Sequence, residues 1–242
     1  MKLSFKLFVV FTLALLGYAF YQAMVVAPTE ATMGNVQRIF YYHLPHAWLA
    51  FLLFFANFVA SIWYLIRRSQ GTDAVALASA EVGVVFCTVV LVTGPLWARP
   101  VWGIWWTWDA RLTSTLVLWL IYVSYLVLRR FATGGQTQVL AAALAIFGFL
   151  DVPIVYLSIR YFRTQHPQPV IAGGEGSGLD PRMWTAVLWN LAGFLCLAVL
   201  LVRARYRLAR QEEALEEAHA NRALTVELPA MREEAGDSAR SA

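Results

Sequence analysis

Five of the ten tryptophans in this 242-residue chain fall within twelve positions: Trp97, Trp102, Trp105, Trp106 and Trp108. Pro100 and Gly103 break the run, and Asp109 and Arg111 close it. Indole favours the headgroup level of a bilayer, so an interfacial belt is the plain reading. A belt rarely concentrates so many rings in one segment. A cluster of indoles also makes a flat, apolar, polarisable platform suited to a large planar ligand. Two of the four histidines, His43 and His46, stand in Arg38-Ile-Phe-Tyr-Tyr-His-Leu-Pro-His46, and His166 stands in Tyr161-Phe-Arg-Thr-Gln-His-Pro167. His219 lies in an acidic tail and reads as exposed and inert. Imidazole is a common axial ligand of haem iron, and two from opposite faces complete a six-coordinate site. A porphyrin on the indoles, iron held by imidazole and propionates met by arginine would use all these residue types together. Zinc fits less well: Cys87 and Cys196 sit singly in apolar runs, and neither CxxC nor HExxH occurs.

These residues need elements to hold them, and composition says which. The chain is 60% hydrophobic and 14% charged, with mean hydropathy +0.58. A soluble globule of this size cannot cover so much apolar side chain. That excludes a soluble enzyme, a disordered chain and a simple nucleic-acid binder, and leaves an all-α polytopic membrane protein. A helix crosses a hydrocarbon core of roughly 30 Å with about 20 residues. Six stretches qualify, at approximately 5–26, 47–66, 74–96, 113–128, 138–158 and 184–202. The first is too long for the apolar core of a signal peptide and reads as a retained helix.

Basic residues at the helix ends set the orientation. Lys2, Lys6, Arg67, Arg68, Arg129, Arg130, Arg203, Arg205, Arg207 and Arg210 fall on one side, which predicts that both termini are cytoplasmic. Arg38, Arg99, Arg111, Arg160, Arg163 and Arg182 fall on the other, with the tryptophans and the three histidines. Guanidinium grips carboxylates with two prongs, so these six suit an anionic ligand. A general bias toward Arg, in a chain with two Lys, explains them equally well. The expected division is a membrane domain over 1–203, with a tryptophan loop at 97–112, and a polar cytoplasmic tail over 204–242. Asp73 reads as the cap of the third helix and Asp109 as the cap of the fourth. Glu81 and Asp151, inside predicted spans, are functional suspects by their cost of burial. Asp151 has a structural explanation too, as a partner for backbone freed by Pro153.

The run Thr93-Gly-Pro-Leu-Trp97 through Trp102-Gly-Ile-Trp-Trp-Thr-Trp-Asp109-Ala-Arg111-Leu-Thr-Ser114 resembles the tryptophan-rich WWD signature of haem-handling proteins in cytochrome c maturation. With Arg38 to Pro45 and Asp151-Val-Pro-Ile, it resembles the CcmC family in particular, over about residues 34–200. The resemblance implies a protein of the inner membrane that holds haem b non-covalently at the periplasmic face and delivers it to the haem chaperone CcmE. It also implies CcmD and the CcmA–CcmB ABC transporter as partners, beside membrane lipid and with no role for nucleic acid. By position it implies His43 and His166 as iron ligands. Trp97, Trp102, Gly103, Trp105, Trp106, Trp108 and Asp109 become the platform, and Arg38 and Arg111 propionate contacts or loop supports. The family usually carries a small residue where this chain has His46, so the ligand from that segment stays open between His43 and His46. No acid–base pair for bond-making is evident, which predicts a transfer protein rather than an enzyme. A CcsA-like cytochrome c synthase shares the WWD loop but has more spans. A small-solute transporter with an aromatic gate, or a structural subunit anchored by its tryptophans, would hold no chromophore.

Overall fold

The computed structural model describes residues 3–132, 134, 136–167 and 178–240, with side chains described as far as residue 219 and at 222. Part of the external segment after the fifth span therefore lies outside the described residues. Six stretches are long and apolar enough to cross a membrane, and no strand occurs among the described residues. Helix α1 (Leu3–Tyr21) runs into a π-helical turn at Gln22–Val26, and a 3-10 turn at Asn35–Ile39 leads into α2 (Phe40–Arg67). There follow α3 (Gln70–Trp102), α4 (Ala110–Phe131), α5 (Thr137–Phe149), α6 (Asp151–Tyr161) and α7 (Pro181–Arg240). α5 and α6 together make the fifth span.

Several boundaries differ from expectation, and each difference bears on the site. The second helix starts at Phe40 rather than near 47, so His43 and His46 lie inside it and not before it. Pro45 removes one backbone bond without ending the helix. The third helix continues past the apolar run and past Pro95 and Pro100 to Trp102. Its 33 residues make it about 50 Å long at 1.5 Å per residue. Trp97 and Trp102 are thus helical, and the true loop is short, residues 103–109. Gly103 ends the helix in the left-handed region (φ 79°), its N–H bonded to Arg99 O at 3.0 Å. A glycine has no Cβ penalty there. The fifth span breaks at Leu150, beside Asp151 and Pro153. The sixth helix passes the expected end at 202 and runs on to Arg240.

The core is built on α2, α3 and α4, with Ala141 and Ala145 of α5, Val155 of α6 and Ala198 of α7 packed into it. Phe54 stacks on Tyr122 with ring centres 3.8 Å apart, in one cluster with Leu49, Phe86 and Leu118. The stack sits against α3 because position 83 is glycine: a Cβ there would lie 2.7 Å from Phe54 Cε1. Polar groups cross-link the helices where water cannot serve them. Asn57 donates to Ala76 O (2.8 Å), and Trp119 Nε1 donates to Thr88 Oγ1 (2.8 Å). Asn190 donates to Ala19 O at 3.1 Å and so ties α7 to α1.

Both acids at the tryptophan-distant ends of the helices are paired. Asp73 is not the cap of α3, since Ser69 holds that position. Instead its carboxylate takes both Arg129 nitrogens, at 2.6 and 2.7 Å, with both side chains nearly buried. Glu81 takes Arg205 at 2.6 and 2.5 Å, which joins α3 to α7. Asp151 Oδ2 is buried without a hydrogen-bond partner among the described residues, so that oxygen does not serve the backbone freed by Pro153.

Candidate haem-binding cavity

A cavity of about 820 Å³ opens among α2, α3, α4, α6 and the start of α7, on the tryptophan face. Its size lies in the range of roughly 300–1,000 Å³ usual for small-molecule sites. Successive turns of α2 put Phe40, His43, Ala47 and Trp48 on its wall, while α3 gives Gly94 and Trp97. Trp102, Trp106, Arg111 and His166 also line it, as do the acids Glu30 and Asp180. Two histidines 123 positions apart in sequence therefore share one wall-bound space with four indoles and a guanidinium.

The tryptophans do not form one flat platform. Trp97 and Trp102 meet edge to face, with ring centres 5.0 Å apart and planes at 86°. Trp106 and Trp108 do likewise at 5.8 Å and 76°. Ring quadrupoles favour this arrangement over face-to-face stacking. Of these five, Trp97, Trp102 and Trp106 line the cavity, whereas Trp105 (56% exposed) and Trp108 (76% exposed) do not. The division follows from the helix: α3 carries Trp97 and Trp102 as part of its own surface, and only the last three tryptophans belong to the loop.

The two histidines from the α2 segment part company. His46 is buried in an aromatic slot, its ring centre 4.8 Å from that of Phe86 and 4.2 Å from that of Phe194. Its Nδ1 meets Tyr42 O at 2.7 Å, and it does not line the cavity. His43 does line it, with Nδ1 2.8 Å from Thr93 Oγ1. In His166, Nδ1 lies 2.9 Å from Pro167 O. A carbonyl only accepts, so that nitrogen carries the proton and Nε2 keeps its lone pair. Burial, and then the nearby charge of Arg111, push the His166 pKa down to about 4, so the imidazole is neutral at physiological pH. A neutral imidazole is the form that ligates a metal.

The remaining candidates hold the site rather than line it. Asp109 caps α4 by accepting from Leu112 N–H at 3.0 Å through Oδ1. Its Oδ2 accepts from Thr107 (3.1 Å), Thr164 (2.9 Å) and the Gln165 N–H (3.3 Å). Thr164 Oγ1 in turn accepts the His166 N–H at 3.0 Å. One carboxylate thus joins the tryptophan loop, α4 and the segment that carries His166. Burial raises its pKa, but these hydrogen bonds outweigh that and hold it below the usual carboxylate range. Arg38 donates to Ala23 O, to Ala27 O (3.2 Å), to Thr29 Oγ1 (3.3 Å) and to Asn35 Oδ1 (3.3 Å). It clips the end of the first span to the connector before α2 and does not line the cavity. Arg111 lines the cavity and donates to the α6 carbonyls of Val155 (2.8 Å) and Tyr156 (3.2 Å). Gly103 stops α3, as described above. Thr93 and Thr164 were not among the sequence candidates; short hydroxyl residues beside His43 and His166 leave no spacing signal of their own.

Such a fold and site define a polytopic helical membrane protein with an aromatic cavity lined by two histidines. The chain belongs to the CcmC family: the model of that family, heme exporter protein C, matches residues 1–221. It is 34% identical to heme exporter protein C of Bradyrhizobium diazoefficiens, over 87% of this chain and 81% of that one. The Escherichia coli K12 protein of the same name is also 34% identical, over 75% of this chain and 73% of its own. A putative cytochrome c biosynthesis ccmC-like mitochondrial protein of Arabidopsis thaliana is 34% identical, over 81% and 74%.

Proposed function

We propose that this protein takes part in haem export for cytochrome c maturation, by binding haem b non-covalently in the cavity and delivering it to the chaperone CcmE. One observation carries the reading. His43 and His166 line the same ligand-sized, indole-walled cavity, and each has Nδ1 engaged by the protein. With Nδ1 protonated, Nε2 is the nitrogen left to bind iron. The donor set fits haem: two cavity-lining imidazoles with Nδ1 engaged, four cavity-lining indoles, of which Trp97 and Trp102 meet edge to face, and one guanidinium for a propionate.

In this reading His43 and His166 hold the iron, and such ligation tunes its redox state. Trp97, Trp102 and Trp106 exclude water from the macrocycle faces, and Arg111 neutralises a carboxylate at its edge. Arg38, Gly103 and Asp109 position the walls. Trp105 and Trp108 lie outside the cavity, where indole suits the lipid headgroup level. Delivery needs an accepting partner to displace one imidazole, so the protein acts as a carrier and not as an enzyme. We place the tryptophan face in the periplasm and both termini, with the polar tail over 204–242, in the cytoplasm, because basic residues crowd the opposite helix ends. CcmD and the CcmA–CcmB transporter are the further partners that family membership suggests.

The test is a transfer assay. Detergent-purified protein is loaded with hemin, mixed with haem-free soluble CcmE, and the two are separated and read by absorbance. Haem that moves to CcmE from the wild type, and is absent from His43→Ala and His166→Ala before mixing, supports the reading. A wild type that retains no haem, yet drives solute uptake in vesicles, overturns it.

A further inference from the structure

We propose that Thr93 is a positioning residue for His43, which fixes the imidazole tautomer so that Nε2 presents its lone pair to the cavity; the inference rests on the haem-binding reading above. The geometry is a relay across two helices. Thr93, on α3, lies 2.8 Å through Oγ1 from His43 Nδ1 on α2. The same oxygen lies 2.7 Å from Val89 O and 3.4 Å from Val90 O, one turn back along its own helix. Next to it, a Cβ built on Gly94 would lie 3.7 Å from His43 Cε1, so the Nδ1–Cε1 edge of the ring is the edge set against α3.

A threonine hydroxyl has one proton and two lone pairs. If Nδ1 carries the ring proton, it donates to Oγ1, and Oγ1 donates to Val89 O. Two hydrogen bonds form and every group is used. If Nδ1 carries the lone pair, the hydroxyl proton must turn toward the ring. The bond to Val89 O is then lost, and the ring proton moves to Nε2, where no ligand could bind. In a membrane span the lost bond has no water to replace it. Bond count therefore selects the Nδ1–H form. His166 reaches the same state by another route, through the Pro167 carbonyl. Each histidine has its own tautomer-setting acceptor, one a side chain and one the backbone, and only the first can be removed by substitution.

The test uses the full chain and three variants: Thr93→Val, which keeps the shape and removes the hydroxyl, Thr93→Ser, which keeps the hydroxyl, and His43→Ala. The first readout needs no haem. Nitrogen-15 spectra of histidine-labelled protein in bilayers, with the His43 signals identified by their loss in His43→Ala, should show protonated Nδ1 and bare Nε2. A protonated Nε2 at His43 overturns the proposal. The second readout is hemin affinity. Outer hydrogen-bond partners of ligand histidines are typically worth about 10–100-fold in affinity, so Thr93→Val should bind at least about tenfold more weakly. Thr93→Ser should restore binding. The loss of a bonded Nδ1–H also weakens imidazole donation, so any haem held by Thr93→Val should be easier to reduce. Wild-type affinity and potential in Thr93→Val would overturn the proposal. If Thr93→Val does not fold, the wild-type nitrogen spectrum decides alone. Absence of haem from the wild type would sink the functional reading and leave the tautomer assignment to be judged by that same spectrum.

Discussion

Asp109 shows how much one side chain can organise. Its two oxygens accept four hydrogen bonds, from Thr107, Leu112, Thr164 and Gln165, and so tie the loop and the start of α4 to a segment more than fifty residues away. Asp109→Ala should cost about 0.5–2 kcal/mol from the lost cap alone. It should also release the Thr164–His166 segment, so haem retention should fall more than melting temperature does. The carboxyl is held below the usual carboxylate range by its hydrogen bonds. The folded pKa is thus lower than the unfolded one, and the clamp contributes fully at neutral pH and is lost as pH falls through that depressed value. Protection of the Leu112 and Gln165 amides, relative to their intrinsic exchange rates, should fall only under acid conditions. His46 offers a contrast within the same turn as His43. His46→Ala empties a slot between Phe86 and Phe194, so it should lower stability while it leaves haem bound. The residue types at the site were legible in the sequence: His43, His166, Trp97, Trp102, Trp106 and Arg111 all line one cavity. Which indoles face inward was not, because that depends on α3 continuing to Trp102 through two prolines.

At the level of elements, packing is decided by small residues opposite large ones. Phe54 cannot yield toward Tyr122, which it already stacks on at 3.8 Å. A methyl group at position 83 would meet it at 2.7 Å. Gly83→Ala should therefore destabilise by about 1–3 kcal/mol, read as a lower melting temperature in detergent. Position 148 is similar, since a Cβ there would lie 2.6 Å from Ile121 Cγ2. The ion pair between α3 and α4 is the second constraint. Asp73 and Arg129 are nearly buried, so removing Arg129 strands a carboxylate, at a typical cost of about 3–5 kcal/mol. The pair Glu81–Arg205 is more exposed, and its loss should cost less. Apolar runs made the six spans legible. The partners of Asp73 and Glu81 were not, because each lies on another helix and charge spacing along one helix says nothing about its neighbours.

The molecule as a whole is a bundle with its chemistry at one end. The cavity, the short tryptophan loop and His166 occupy one face, while the two interhelical ion pairs and most of the helix-end arginines occupy the other. The orientation proposed from the basic residues is open to direct test. Gln165→Cys should react with a membrane-impermeant maleimide in intact cells, and Ser69→Cys only after lysis. The reverse pattern would invert the assignment. Architecture at this scale was the most legible level of all, since hydropathy and alternation fix the number of spans. How the fifth span breaks at Leu150 was not, because a proline within a span permits either a kink or a clean interruption.

The central claim is that haem iron sits between His43 and His166. Absorption spectra of the detergent-purified protein, oxidised and reduced, test it most directly when taken with the four single histidine variants. The account predicts a low-spin, six-coordinate haem spectrum in the wild type, in His46→Ala and in His219→Ala. It predicts that this spectrum is lost or becomes five-coordinate in His43→Ala and His166→Ala. A colourless wild-type protein from haem-sufficient cells, or a spectrum unchanged in all four variants, would contradict it.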